Sequence, residues 1–135
     1  MKTAKQKAIQ EQYNKLNVAR CSTSQLRQKS VQQWVEENSI EVVDCTRRAG
    51  AYPKGYGNPF SMKYNRFNPA PTKQAQEEEV NKVCDQFKNL VDANLNMSSI
   101  SLLKGKLLVC YCDSGSRCHV DTYINILSTY KKVAV

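Results

Sequence analysis

The stretch from Lys104 to Asp121, K-G-K-L-L-V-C-Y-C-D-S-G-S-R-C-H-V-D, restricts the fold more than any other part of the chain. Leu107, Leu108 and Val109 form a short apolar run behind Gly105 without helical spacing, the pattern of a buried strand. Cys110 and Cys112 are two apart, so on a strand both would leave the same face. Asp113, Ser114, Gly115 and Ser116 are turn-forming types. After Cys118-His119, the three- and four-residue steps of Val120, Tyr123, Ile124, Leu127 and Tyr130 predict an amphipathic helix. A strand, a polar turn and a helix N-terminus bring unpaired N–H groups and the helix dipole together, a setting for an anion or a thiolate.

At 135 residues the chain is long enough for one hydrophobic core. No stretch approaches the roughly 18 uninterrupted apolar residues of a membrane span, so no membrane partner is expected. The start, M-K-T-A-K-Q-K-A-I-Q-E-Q, is charged and lacks the apolar segment of a secretory signal, which predicts a cytoplasmic protein. In a reducing compartment the six cysteines are not expected to form disulfides. Cys21 and Cys84 read as small buried hydrophobes, leaving Cys45, Cys110, Cys112 and Cys118 to be explained. The net charge of +8 favours an anionic partner such as a nucleotide or nucleic acid, or an acidic protein. Lys2, Lys5, Lys7, Lys15, Arg20, Arg27 and Lys29 concentrate much of it near the N-terminus. A solvated basic face is the plain alternative.

Ile9, Tyr13 and Leu16 predict a helix over about residues 4–18. Leu26, Val31, Trp34 and Val35 predict a second, with Ser22, Thr23 and Ser24 as cap oxygens. Trp34 is expected to pack in the core. Glu41 to Cys45 reads as a strand. From Ala49 to Ala70, prolines and glycines exclude a long regular element. Tyr52, Tyr56, Phe60, Tyr64 and Phe67 interleave there with Lys54, Lys63 and Arg66, after Arg47 and Arg48. That composition suits phosphate contact and base stacking, or a loop that merely folds its rings onto the core. Thr72 opens a long helix with Val80, Val83, Cys84, Phe87, Leu90, Val91 and Leu95 on its apolar face. A short helical turn over Ser98 to Leu103 precedes the second strand. The expectation is a small, compact, single α/β domain with a short, largely parallel sheet flanked by helices. Residues 41–135 form its core and residues 1–40 a basic helical N-terminal extension.

Three landmarks, V-V-D-C-T-R-R at Val42 to Arg48, G-N-P-F at Gly57 to Phe60, and C-Y-C…C-H-V-D at Cys110 to Asp121, resemble a phage and bacterial family. It is domain-of-unknown-function family 4326, with its V-V-x-C-x-R strand, W-G-N-P-F turn and C-W-C…C-H-G-D signature. The resemblance covers about residues 40 to 130. It singles out Cys45, Arg47, Asn58, Pro59, Phe60, Cys110, Cys112, Cys118, His119 and Asp121, and implies a phage-linked setting, hence a host cytoplasm. This chain departs from the pattern with Tyr56 and Tyr111 for the two tryptophans, Val120 for the glycine, and no G-R-x-S-x-W lead into the turn. Leu108 to Cys118 also looks like the active-site loop of rhodanese-type sulfurtransferases. In that likeness Cys112 carries a persulfide and Arg117 closes the loop over it, although the upstream signals of those enzymes are missing.

Three readings of the Cys/His cluster stay open. Cys45, Cys110, Cys112, Cys118 and His119 are the candidate ligands of a metal, with zinc the cofactor such a set suits, against a spacing unlike the common knuckle. Alternatively, Cys112 or Cys118 is a thiolate nucleophile beside Arg117, with His119 as acid–base and Asp121 orienting it. In the third, the cysteines are core residues and His119 and Asp121 cap the last helix. Two functions follow. One is action on, or binding of, a nucleotide, nucleic acid or sugar-phosphate, with Cys112, Cys118, His119 and Asp121 as catalytic candidates. Arg47, Asn58, Phe60, Ser114, Gly115 and Arg117 are then the ligand-binding candidates. The other is a non-catalytic basic protein that binds nucleic acid or a host protein, in an anti-defence role for example, with the cysteines, or zinc, serving stability. No motif specifies a substrate or an oligomeric state.

Overall fold

Leu107 and Leu108 are completely buried because their strand is the middle one of three. In the computed structural model, which describes residues 4–64, 67–110 and 117–133, β3 (Lys106–Cys110) lies between β1 (Ala19–Ser22) and β2 (Glu41–Asp44). Both pairings are parallel, with Ala19 and Val42 opposite Leu107, and Arg20 and Val43 opposite Leu108. A parallel strand covered on both faces needs a near-continuous apolar run, and L-L-V-C supplies it.

Successive residues of the sheet feed two cores. Leu107, Ala19 and Cys21 join Ile9 of α1 (Ala4–Leu16), Val31 of α3 (Lys29–Glu37) and Ile40. Leu108, Cys110 and Val18 join Phe87 and Val91 of α4 (Lys73–Ala93) and Val120, Tyr123, Ile124 and Leu127 of α6 (Val120–Val133). The strand order accounts for this split. The path from β1 to β2 steps across β3, and the path from β2 back to β3 runs the opposite way. Right-handed crossovers in opposite directions lay their helices on opposite faces.

The fold is therefore the small α/β domain with a short parallel sheet that the sequence implies. It differs by one strand. Residues 19–22 were expected to lie between two helices with no strand of their own, yet A-R-C-S forms an edge of the sheet. Four residues with an arginine among them carry no readable alternation, and β3 supplies the pairing that makes them a strand. The helical N-terminal segment is thereby tied to the sheet at β1, and α1 and α3 roof one of its faces. Trp34 is half-buried there, edge-on to Tyr13 at 5.5 Å. After β1, Ser22 and Gln25 form a reciprocal capping box for α2 (Thr23–Leu26). Thr72 caps α4 through the Ala75 N–H, as expected of the residue that opens the long helix. The turn before β3 consists of α5 (Met97–Ile100) and a 3₁₀ turn over Ser101–Leu103. Gly105 then enters the strand with a positive φ of 82°.

Candidate functional site at the carboxyl edge of the sheet

The segment between Gly50 and Phe60 is fixed by its aromatic residues. Tyr52 is buried, edge-on to Phe87 at 6.1 Å, and its hydroxyl donates to the Asn94 carbonyl and accepts from the Asn96 N–H. The Tyr56 hydroxyl donates to the Ser99 carbonyl at 2.7 Å. Backbone bonds from Gly57 to Gly50 and from Tyr52 to Gly57 close the turn. Gly55 is required in it, since a Cβ there would overlap the Gly50 carbonyl and stand 2.8 Å from the Ala49 oxygen. Asn58 accepts from the Phe60 N–H through its side chain and reaches the Val83 carbonyl of α4, and Phe60 packs on the core. Asn58 and Phe60, the ligand-binding candidates of this segment, tie the turn to α4 and to the core respectively.

That anchoring brings the Tyr56 carbonyl to His119. The imidazole Nε2 lies 2.8 Å from the Cys45 carbonyl oxygen and 3.1 Å from that of Tyr56. Carbonyls only accept, so Nε2 carries the proton. Nδ1 is left as an acceptor, and it faces Cys118 Sγ at 3.6 Å, which makes the thiol the donor. The ring is also edge-on to Phe87 at 5.0 Å. Burial dominates its titration and lowers its pKa below the ordinary histidine value, against smaller opposing effects of the two carbonyl bonds and nearby thiol and carboxylate groups. His119 is thus a neutral imidazole with both nitrogens engaged inside the protein. The three landmark segments meet at it: Cys45 from the first, Tyr56 beside Gly57 from the second, and Cys118-His119 from the third.

Asp121 caps the start of α6. Its carboxylate accepts from the Cys118 N–H at 3.1 Å and from one guanidinium nitrogen of Arg20 at 3.0 and 3.2 Å. Its hydrogen-bond partners are therefore Arg20 and the Cys118 backbone, whereas carbonyls hold the His119 ring. Arg20 was read only as one of the basic N-terminal residues, and its place in this junction became visible once β1 lay beside β3. Arg117 forms an ion pair with Asp85 at 2.7 Å and also approaches Asn81, which fastens the residue to α4.

The five described thiols are all buried. Cys45, Cys110 and Cys118 lie in one core cluster and Cys21 in the other. Burial pushes the Cys21 thiol up to about 12 and that of Cys45 higher still, with the nearby Cys110 adding to both. Among the described residues, no group of three or more His, Cys, Asp or Glu side chains is arranged to hold a metal ion. Cys112, Ser114 and Gly115 lie outside the described residues, as does the side chain of Arg47.

Sequence reading missed two polar residues at this edge. Gln25 and Thr46 are 5% and 4% exposed, and among the described residues Gln25 Nε2 and Thr46 Oγ1 have no hydrogen-bond partner. They follow the carboxyl ends of β1 and β2, the two strands that flank β3. The chain leaves β1 towards the α3 face and leaves β3 towards the α6 face. This divergence defines a topological switch point, and a crevice between the two strand ends is where open parallel sheets receive ligands.

The fold and this edge define a small three-layer α/β domain built around a buried Cys–His pair. The chain belongs to the domain of unknown function family DUF4326, whose family model matches residues 1–129. The match begins well before residue 40 and so takes in α1, β1 and α3 along with the landmarks. Comparisons with curated proteins and with solved structures return no significant match. No helix among the described residues is long and apolar enough to cross a membrane.

Proposed function

We propose that this domain binds a nucleotide or sugar-phosphate at the carboxyl edge of its sheet, in the crevice between β1 and β3. The observation that carries the reading is Gln25, just past β1 at the switch point, together with Thr46, just past β2 on the other side of β3, whose buried Nε2 and Oγ1 have no hydrogen-bond partner among the described residues. The Gln25 Oε1 is committed to the Ser22 N–H, so its amide offers only donors. Arg20 neutralises Asp121 at the same junction, and the net charge of +8 favours an anion. In this reading Cys118 and His119 support the site from beneath, because both are buried and engaged with one another. A covalent mechanism then rests on Cys112, the remaining nucleophile candidate.

Thermal shift with a panel of nucleotides and sugar-phosphates tests the proposal. Gln25→Glu keeps the oxygen that caps Ser22 but replaces the donor, and Thr46→Val removes the hydroxyl while keeping the shape. At least one anion class is expected to raise the melting temperature of the wild type and to lose most of that effect in both variants. Failure of every compound, or a shift that survives both substitutions, would refute it. If activity then appears with the bound class, loss on Cys112→Ser without loss of folding supports a nucleophile.

A further inference from the structure

Six polar side chains are buried among the described residues, and all six belong to the carboxyl edge of the sheet. Ser22 ends β1 and Gln25 follows it, Thr46 follows β2, His119 and Thr122 stand at the start of α6, and Glu79 lies in the first half of α4. α4 returns from the carboxyl end of β2 to the beginning of β3, so its first turns stand over that edge. Arg117, two residues before His119, meets the helix there through Asp85 and Asn81. Glu79 takes the core-facing stripe of α4, one turn before Val83 and two before Phe87, the residue packed on His119. Cys84 of the same helix is close enough to Arg20 and Asp121 for their charges to act on it, so α4 also borders the β1 side of the edge.

Glu79 is the acidic residue of the six. It is 8% exposed, yet among the described residues its carboxylate has neither a hydrogen bond nor a basic partner. Its oxygens are not among the enclosed polar atoms that lack partners, so they still meet solvent at the floor of a recess. An unpaired carboxylate on a stripe where an apolar side chain would pack as Val83 does weakens the fold. What it receives from outside accounts for it. A carboxylate only accepts hydrogen bonds and repels phosphate, so the part of a ligand that reaches it carries neutral donors. The nucleotides and sugar-phosphates proposed for the crevice share one such part, the sugar hydroxyls. A side-chain carboxylate on a ribose hydroxyl is an arrangement that other open parallel sheets use. We infer that Glu79 is the sugar-recognition residue of this edge and accepts hydrogen bonds from ribose, its 2′-hydroxyl included, with the phosphate held away from it. The assignment rests on the crevice reading and adds to it a selection for ribose over 2-deoxyribose.

Isothermal titration calorimetry with ribose 5-phosphate and with ribonucleoside monophosphates, each beside its 2-deoxy counterpart, tests it. The wild type is expected to prefer the ribo form about 10- to 150-fold, the worth of a hydrogen bond to a charged group. Glu79→Gln keeps the shape and removes the charge, and should lose most of that preference. Glu79→Leu should lose all of it, by weakening the ribo ligand while the deoxy ligand is held about as before. Without ligand both variants should melt no lower than the wild type, since an unpaired buried charge has been removed. A marked fall in melting temperature would show that the carboxylate holds the fold and would overturn the assignment. Equal affinity of the wild type for ribo and deoxy ligands, a preference that survives Glu79→Leu, or an equal loss for both ligand forms would overturn it and leave the crevice standing. Absence of binding by every ligand would overturn the crevice and this assignment with it.

Discussion

His119 is the only histidine in the chain, which lets its contribution to stability be isolated by pH. In the folded protein, burial lowers its pKa, and in the unfolded chain it titrates near the ordinary value of about 6.5. Above that value both states are neutral and the group adds no pH dependence. Below it the unfolded chain takes up a proton that the folded protein resists, so stability is lost as pH falls through about 6.5. The loss steepens to at most about 1.4 kcal/mol per pH unit until the folded-state pKa is reached. His119→Ala should remove this slope and also lower stability at neutral pH. It orphans the buried Cys45 carbonyl, for about 1–3 kcal/mol, whereas Tyr56 keeps the Tyr123 hydroxyl at 2.9 Å. Truncating a ring packed on Phe87 adds about 2 kcal/mol, for a total of about 3–5 kcal/mol. Guanidinium unfolding followed by Trp34 fluorescence at pH 7.5, 6.5 and 5.5 measures both effects. Ordinary carboxylates titrate below this range. A wild type with constant stability from pH 7.5 to 5.5, or a His119→Ala protein that keeps the wild-type slope, would refute the neutral, proton-resistant imidazole.

Other outcomes follow from the same geometry. Gly55→Ala should destabilise the protein by at least about 1–3 kcal/mol in the same assay, because the added methyl collides with backbone oxygens rather than with a side chain that can move. Asp121→Ala should cost about 1–3 kcal/mol through loss of the Arg20 pair and the Cys118 cap, and Asp121→Asn distinctly less, since its oxygen still accepts the Cys118 N–H. Cys21, Cys45, Cys84, Cys110 and Cys118 are buried, so alkylation at pH 8 followed by peptide mapping should modify them only in denaturant. Fast labelling of Cys118 in the native protein would show that its pairing with His119 is not maintained in solution.

The parts of the fold written as sustained patterns were legible. The apolar run of β3, the spacing of α4 and α6, and the Thr72 cap each follow from local rules that tertiary structure left standing. β1 was not, because Arg20 breaks its short run and its burial comes from β3, far along the chain. His119 and Cys118 could be picked out from sequence as chemically notable, but not their state. Whether an imidazole is poised or satisfied depends on who faces its nitrogens, and the Cys45 and Tyr56 carbonyls are backbone atoms that no motif advertises. Gln25 and Thr46 carried no signal beyond being polar next to strands. Their interest arises only when burial and missing partners are counted together.

The strand order also bears on how the chain is made. Among the described residues β1 and β2 pair only with β3, the last strand in sequence and the middle one in space. During synthesis from the N-terminus, both edge strands emerge with their partner still unmade. The first hundred residues can form helices but no sheet, and each core lacks its floor until residues 106–110 are delivered. Folding of the sheet is therefore a late, nearly single event that waits for the synthesis of β3. A nascent chain stalled just short of β3 should expose the apolar faces of α1, α3 and α4 together and be far more open to protease than one released a few residues later.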